Sequence, residues 1–255
     1  MAHYQQNKFV DIVRMNYPDF FQNKQVLEIG SWDVNGNIRN KFLNCEYIGV
    51  DVTEGKGVDK IAEGQELDFP TGHFDVVISC ECFEHNRYWL ETFVNMIRML
   101  KPGGLCLVTC ATIVRGEHGT KRRGRDASLT SEAYNEDYYV NLDKNDFLKR
   151  INLTNSFIKF QFFTNIYFKD LYFVGIKKGI PYLDEMGKKF ENISRNAHEI
   201  SYENGISSRE RIKKHISYQF KHLWAKLVGE KLYHNLCYLW ESISNRVRGK
   251  VEMKR

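Results

Sequence analysis

The chain has 255 residues, 42% apolar and 14% aromatic, which fits one α/β domain with an appendage or two small domains and excludes a disordered chain. Its net charge of +5 is uneven: residues 205–255 hold 12 Lys+Arg against 4 Asp+Glu, a balance of +8, which leaves residues 1–204 at −3. No stretch approaches roughly 18 uninterrupted apolar residues and residues 1–8 lack an apolar signal core, so no span or leader is expected and the expected location is the cytoplasm.

Residues 4–17 have helical spacing through Phe9, Ile12 and Val13, and Pro18 ends them. Strands are expected at 25–30 and 47–51, a short one near 59–62, and a buried one at 74–80, where the run is continuously apolar. Residues 88–100 return to helical spacing, Lys101-Pro-Gly-Gly reads as a turn, and 105–110 is another buried strand. This alternation predicts an α/β fold with a doubly wound, mostly parallel sheet. It breaks at 111–141, a stretch rich in Arg, Gly, Ser and Tyr and long enough to be a lid or binding segment. A helix follows at 143–151 with Asp143 as cap, then strands at 157–163 and 170–176 joined by a short turn, hence an antiparallel edge. Beyond residue 178 the chain reads as a basic helical extension, 179–255. Ile212, Ile216, Phe220, Leu223, Trp224, Leu227 and Val228 form one apolar stripe there, and Leu232, Leu236, Leu239, Trp240, Ile243 and Val247 repeat the pattern beyond Gly229.

The six cysteines (Cys45, Cys80, Cys82, Cys106, Cys110 and Cys237) show no repeated Cys-x-x-Cys spacing, so buried free thiols are expected rather than a disulfide framework or a metal site. The densest signal is residues 26–36. An apolar strand carrying Glu28 runs into Gly30, a polar turn leads to Gly36, and a second strand ends in Asp51. In a nucleotide-binding βαβ unit the glycine admits the ligand to the backbone and the distal carboxylate accepts from ribose hydroxyls. Gly30 is followed by Ser31, Trp32 and Asp33, so the Gly-x-Gly-x-x-Gly of nicotinamide and flavin sites is absent, as is a P-loop. Glu28 and Asp33 would repel a pyrophosphate and suit a cationic ligand.

Four segments together resemble the class I S-adenosylmethionine-dependent methyltransferases, in particular their type 11 group. These are Val26-Leu-Glu-Ile-Gly-Ser, Tyr47-Ile-Gly-Val-Asp, residues 67–79 running on into Glu81-Cys-Phe-Glu-His, and Arg98-Met-Leu-Lys-Pro-Gly-Gly-Leu. The resemblance covers about residues 20–178 and implies a Rossmann-like sheet whose last strand is antiparallel, with S-adenosyl-L-methionine as cofactor and S-adenosyl-L-homocysteine as product. It implies that Glu28 and the turn of Gly30, Ser31, Trp32, Asp33 and Gly36 hold the methionine half. Asp51, with Val52, would take the ribose; Glu63 and Gly64 would take the adenine; Cys80 and Glu81 would floor the pocket near the sulfonium. Ser31-Trp32 in place of a second glycine departs from the family pattern and leaves the turn's shape open. Read singly, Gly30 and Gly36 are ordinary turn glycines and Asp51 an ordinary strand-end carboxylate.

Ligands of an open α/β sheet bind beyond the carboxyl ends of its strands. The insertion carries five cations between Arg115 and Arg125, and guanidinium groups pair bidentately with phosphate, so Arg115, Arg122 and Arg123 are expected to bind an anionic small-molecule acceptor. The alternative is a solvated loop. Tyr138, Tyr139 and Asn141 are expected in the pocket wall, or else in an aromatic hinge. His85, His118 and Glu81 are the candidate bases, with helix packing as the other reading of His85.

Three acceptor classes remain open: a small molecule methylated on oxygen, a nucleic acid, or none, with the fold used for assembly. The Asp/Asn-Pro-Pro-Tyr and Pro-Cys motifs of nucleic-acid enzymes are absent, which disfavours the second. The basic tail suggests peripheral contact with the inner membrane surface, or homodimerisation through the C-terminal helices. Similar tails accompany bacterial enzymes that build surface polysaccharides, and by that analogy a glycan sugar, or its phosphate or phosphoramidate substituent, is the expected acceptor.

Overall fold

The computed structural model describes residues 4–34, 36–121, 128–200, 208–229 and 231–240. Among them seven strands form one sheet in the order β3-β2-β1-β4-β5-β7-β6. They are β1 (Gln25–Ile29), β2 (Glu46–Asp51), β3 (Lys60–Ile61), β4 (Phe74–Cys80), β5 (Leu100–Ala111), β6 (Phe157–Asn165) and β7 (Asp170–Lys177). β1 to β5 pair in parallel, and β7 runs antiparallel to both β5 and β6. The mostly parallel, Rossmann-like sheet with an antiparallel last strand is therefore what the chain builds. Within the final hairpin β7 is interior and β6 outermost. β7 is apolar on both faces and buried to its last residue, whereas β6 mixes Lys159, Gln161 and Thr164 into a half-buried run.

Helices cover both faces. α1 (Tyr4–Asn16) and α6 (Asp184–Ile200) cover one, where Phe9, Val13, Phe190 and Ile193 pack on Val26, Ile78, Leu107 and Tyr172. α2 (Trp89–Met99) and the short α4 (Lys144–Leu148) cover the other, where Phe93, Met96 and Phe147 meet Leu27, Val77, Val108 and Phe173. Each such side chain contributes about 1.5–3 kcal/mol on burial. Phe190, Ile193 and Ala197 are buried in this core, so α6 packs directly on the sheet.

Three local expectations change. A βαβ unit implies a helix between its strands, but among the described residues the β1–β2 connection holds one 3₁₀ turn, Arg39–Lys41. Gly36 and Asn37 are weak helix formers, and α1 and α6 already cover that face. Lys101–Gly104 is not a free turn but the start of β5, with a register shift opposite Phe74 to Val76. The helix expected at 143–151 is shorter: α4, capped at its N-terminus by an Asp143 capping box, ends at Leu148, and a separate helix, α5 (Leu153–Ser156), follows. Within the insertion α3 (Leu129–Ala133) is the described helix.

The tail contributes α7 (Ser208–Val228) and a further helix, α8 (231–240). They dock through Tyr218, Ala225 and Tyr233 onto Ile113 and Val114 of the insertion, and Lys226 donates to Asp143 at 2.7 Å. Of the expected apolar stripe, Val228 joins that docked cluster, Ile212, Ile216, Phe220, Leu223 and Leu227 face away and stay exposed, and Ile243 and Val247 lie outside the described residues. No helix among the described residues is long and apolar enough to cross a membrane.

Candidate functional site

A cavity of about 490 Å³ opens at the carboxyl ends of β1, β2 and β4. Gly30 leaves β1 at φ +82°, and a Cβ there would stand 2.4 Å from Cys82 Cβ, so a side chain would collide with the chain leaving β4. Asp51 ends β2. Its carboxylate accepts from the backbone N–H of Trp32 at 3.0 Å and of Val52 at 2.8 Å, which fixes its orientation, and burial raises its pKa. Gly64 lets its loop pass against α2, since a Cβ would meet Thr92 Cγ2 at 2.6 Å; Asn95 ties that loop down by donating to the carbonyls of Gly64 and Leu67, each at 2.9 Å. Glu63 accepts from Gln65 and, at 2.6 Å, from the hydroxyl of Tyr134 in the insertion. Tyr134, Glu136 and Tyr138 of the insertion line the cavity with Arg87, which pairs with Glu136 and lies 5.7 Å from the Tyr138 ring centroid.

Five of the expected cofactor residues, Gly30, Asp51, Val52, Glu63 and Gly64, meet around this cavity. The other six do not line it. Glu28 is buried and accepts from the Tyr47 hydroxyl at 2.7 Å; burial pushes its pKa up to about 7. Cys80 lies in the core shared with α1, where burial raises its thiol to about 12. Ser31 is buried beside Gly49, and Trp32 packs on Gly55 while its N–H holds Asp51. Asp33 pairs with Lys56 at 2.8 Å and accepts from Asn37 and from the N–H of Gly36, contacts that lower its pKa. The two carboxylates expected to face the ligand, Glu28 and Asp33, are thus both engaged elsewhere. Among the described residues, the acidic groups that line the cavity are Asp51, Glu63, Glu66 and Glu136, against the guanidinium of Arg87.

The candidate bases gather in a second cluster beside the cavity. Glu81 adopts φ +52°, uncommon for a side-chain-bearing residue, and accepts from Thr109 Oγ1 at 3.0 Å. The following 3₁₀ turn, Phe83–His85, buries Glu84 and His85, and the Val140 N–H donates to the Glu84 carbonyl at 2.9 Å. His85 meets His118 at 5.1 Å and Tyr139 at 5.5 Å between ring centroids. Burial, then His118, drives the His85 pKa down to about 3, so its imidazole is a weak base near neutrality. Burial also lowers that of His118.

Arg115 is committed to this framework. It pairs with Asp170, donates to the Phe168 carbonyl at 2.8 Å, and its own carbonyl accepts from Asn141 Nδ2 at 2.8 Å. Burial works against its charge, but Asp170, Glu81 and Glu84 outweigh that and raise its pKa. The φ of +71° at β-branched Val114 aims the chain into this arrangement. Tyr139 donates to Asn141 Oδ1 at 2.9 Å, so Arg115, Tyr139 and Asn141 form a bonded hinge, whereas Tyr138 reaches the cavity. Arg122 and Arg123 lie outside the described residues. Sequence reasoning missed Cys82, Glu84, Asn86, Arg87, Tyr134 and Glu136. The Glu-x-x-Glu-His run holds Cys82 and Glu84 and ends just before Asn86 and Arg87, but nothing local marks Tyr134.

Residues 1–130 match a family model described as a methyltransferase domain. No curated protein matches. Among solved structures the chain is similar to the CurJ carbon methyltransferase, at 16% identity and TM-score 0.47, over 68% of this chain and 54% of that one. It is similar to phosphoethanolamine N-methyltransferase 2 of Haemonchus contortus, at 17% identity and TM-score 0.46, over 87% of this chain and 49% of that one. A third is the 1,6-didemethyltoxoflavin-N1-methyltransferase of Burkholderia thailandensis, at 11% identity and TM-score 0.45, over 68% and 79%. The chain thus spans about half the length of the first two.

Proposed function

We propose, on the premise that this chain belongs to the methyltransferase domain family, that it moves a methyl group from S-adenosyl-L-methionine to a small acceptor. The carrying observation is the lining of the cavity: among the described residues, four carboxylates and one guanidinium favour a cation over a pyrophosphate. Asp51, held by two backbone N–H groups, would accept the ribose hydroxyls. Glu63 would exchange its Tyr134 partner for the adenine amino group, and the Gly30 turn would lie along the methionine half. When bound, the cofactor supplies an activated methyl group on a sulfonium; the protein's part is alignment and exclusion of water.

The acceptor would enter from the insertion side, between Tyr138 and the cluster of Glu81, His85 and His118. Our finer reading is transfer to an oxygen of an anionic or phosphorylated acceptor, such as a surface-polysaccharide sugar or its phosphate substituent. The support is the cationic run from Arg115 to Arg125 and Arg87 at the cavity. Arg115 would then act as a positioning residue, since Asp170 holds it. Calorimetry with S-adenosylmethionine tests the core of the proposal: micromolar binding is expected, and Asp51→Ala should weaken it by roughly 10- to 100-fold, the loss of one or two hydrogen bonds to a charged group. Tight binding of NADH in place of S-adenosylmethionine would overturn it. A panel of sugar phosphates and their neutral sugars, followed by transfer of labelled methyl, tests the acceptor class.

A further inference from the structure

We propose that Glu84, His85 and His118 form a binding site for a divalent first-row transition-metal ion, beside the cavity and independent of the methyl-transfer reading. One donor atom from each residue lies within 4.8 Å of the other two, and His118 Nε2 stands 3.9 Å from Glu84 Oε1. Donors sharing one zinc-sized ion at about 2.0–2.2 Å stand roughly 3–4 Å apart, so a small rotation of the half-exposed His118 completes the set.

Two further observations point to a ligand. The Glu84 side chain is fully buried, and neither carboxylate oxygen has a hydrogen-bond partner; His85 Nδ1 is likewise buried without one. Native proteins seldom leave a buried carboxylate in that state, because nothing replaces the water it has lost. A proton on one oxygen would still leave the other acceptor unmet, whereas a cation satisfies the group. His118 is also oriented as metal-bound imidazoles are: its Nδ1 is 3.1 Å from the Gly116 carbonyl, which can only accept. Nδ1 therefore carries the proton, and the lone pair remains on Nε2, the atom nearest Glu84.

Two imidazoles and one carboxylate, with no thiolate, suit zinc, iron, cobalt or nickel better than magnesium or copper(I). Three protein donors leave a position for water or for an oxygen of a bound molecule. Cys82 and Asn86, on either side of Glu84 and His85, line the cavity, and Tyr138 does so next to the Tyr139 that packs on both imidazoles. The open position is thus beside the cavity wall.

The test uses the full chain, stripped with a chelator and desalted, then titrated with Co²⁺ while the visible ligand-field band is followed and the retained metal is counted after dialysis. A single ion per chain is expected. His118→Ala and Glu84→Gln should each weaken it by more than the roughly 10- to 100-fold that loss of an outer-sphere partner costs. S-adenosylmethionine titration and the melting curve guard against a misfolded variant. His118 lies on a half-exposed loop, so its variant decides the matter if Glu84→Gln fails to fold. No retained ion, or equal retention by the wild type and His118→Ala, would overturn the site.

Discussion

Glu28 is the buried acid of β1 whose pKa the fold raises most legibly, from 4.5 to about 7, through burial that outweighs the Tyr47 hydroxyl. A carboxyl whose folded pKa is raised favours the native state while protonated. Its contribution is fully present below about pH 4.5 and is lost as the pH rises through 7. The gap corresponds to about 3–4 kcal/mol at most. Glu28→Gln, which mimics the protonated acid, should therefore flatten the fall in stability between those two pH values; superimposable pH profiles for the two proteins in urea would contradict this. Gly30 carries a steric prediction. Gly30→Ala adds both a left-handed conformation for alanine, costing about 1–2 kcal/mol, and a Cβ at 2.4 Å from Cys82 Cβ. Denaturant midpoints should fall accordingly, and Cys82→Gly in the same chain should restore the part due to collision. Both residues were visible in the sequence as members of one motif. Their roles differ because a strand's side chains alternate faces: Glu28 points into the layer under α1, and only the residues at and beyond the strand's end reach the cavity.

Strands buried in a parallel sheet are legible because both of their faces are apolar, so β4 stands at the residues expected and β1 and β2 within one. Elements fixed by tertiary contacts were less so. No local pattern announces that α1 and α6 together leave no need for a helix between β1 and β2, or that β7 slides inside β6. The cavity divides the same way. Gly30, Asp51 and Gly64 sit where a strand or loop motif places them, whereas Tyr134 reaches Glu63 across 71 residues. β7 also ends in a contact that its sequence hides: Lys177 Nζ donates to the carbonyls of Ile97 and Leu100, both at 2.6 Å, and so caps the C-terminal end of α2. Lys177→Met keeps the aliphatic stem and removes the donor. A loss of about 1–3 kcal/mol is expected, read as a lower denaturant midpoint with an unchanged slope. An unshifted midpoint would mean that water satisfies those carbonyls equally well.

At the scale of the whole molecule, the tail inverts the simplest reading of an amphipathic helix. An apolar stripe normally packs on the domain; here α7 docks by Tyr218, Ala225 and Lys226 and leaves Ile212, Ile216, Phe220, Leu223 and Leu227 outside. Exposed Arg209 and Lys213 border that row, whereas Lys214 turns back onto the Tyr167 ring at 3.7 Å, and the segment 205–255 carries a net charge of +8. Apolar side chains in a cationic segment are the arrangement that inserts shallowly into an anionic bilayer surface, the apolar row among the acyl chains and the cations at the headgroups. Peripheral membrane contact is accordingly our proposal for this face, with a second copy of the chain as the rival occupant. Phe220→Glu with Leu223→Glu places two charges in the row without touching the docked residues. Co-sedimentation with vesicles of mixed phosphatidylglycerol and phosphatidylcholine should fall several-fold for this variant, and more salt should weaken the wild type. Binding of S-adenosylmethionine should stay as it was, because the cavity lies at the strand ends. If the wild type instead ignores the vesicles and sediments as a dimer that the variant dissolves, the row is a subunit interface and the membrane reading fails.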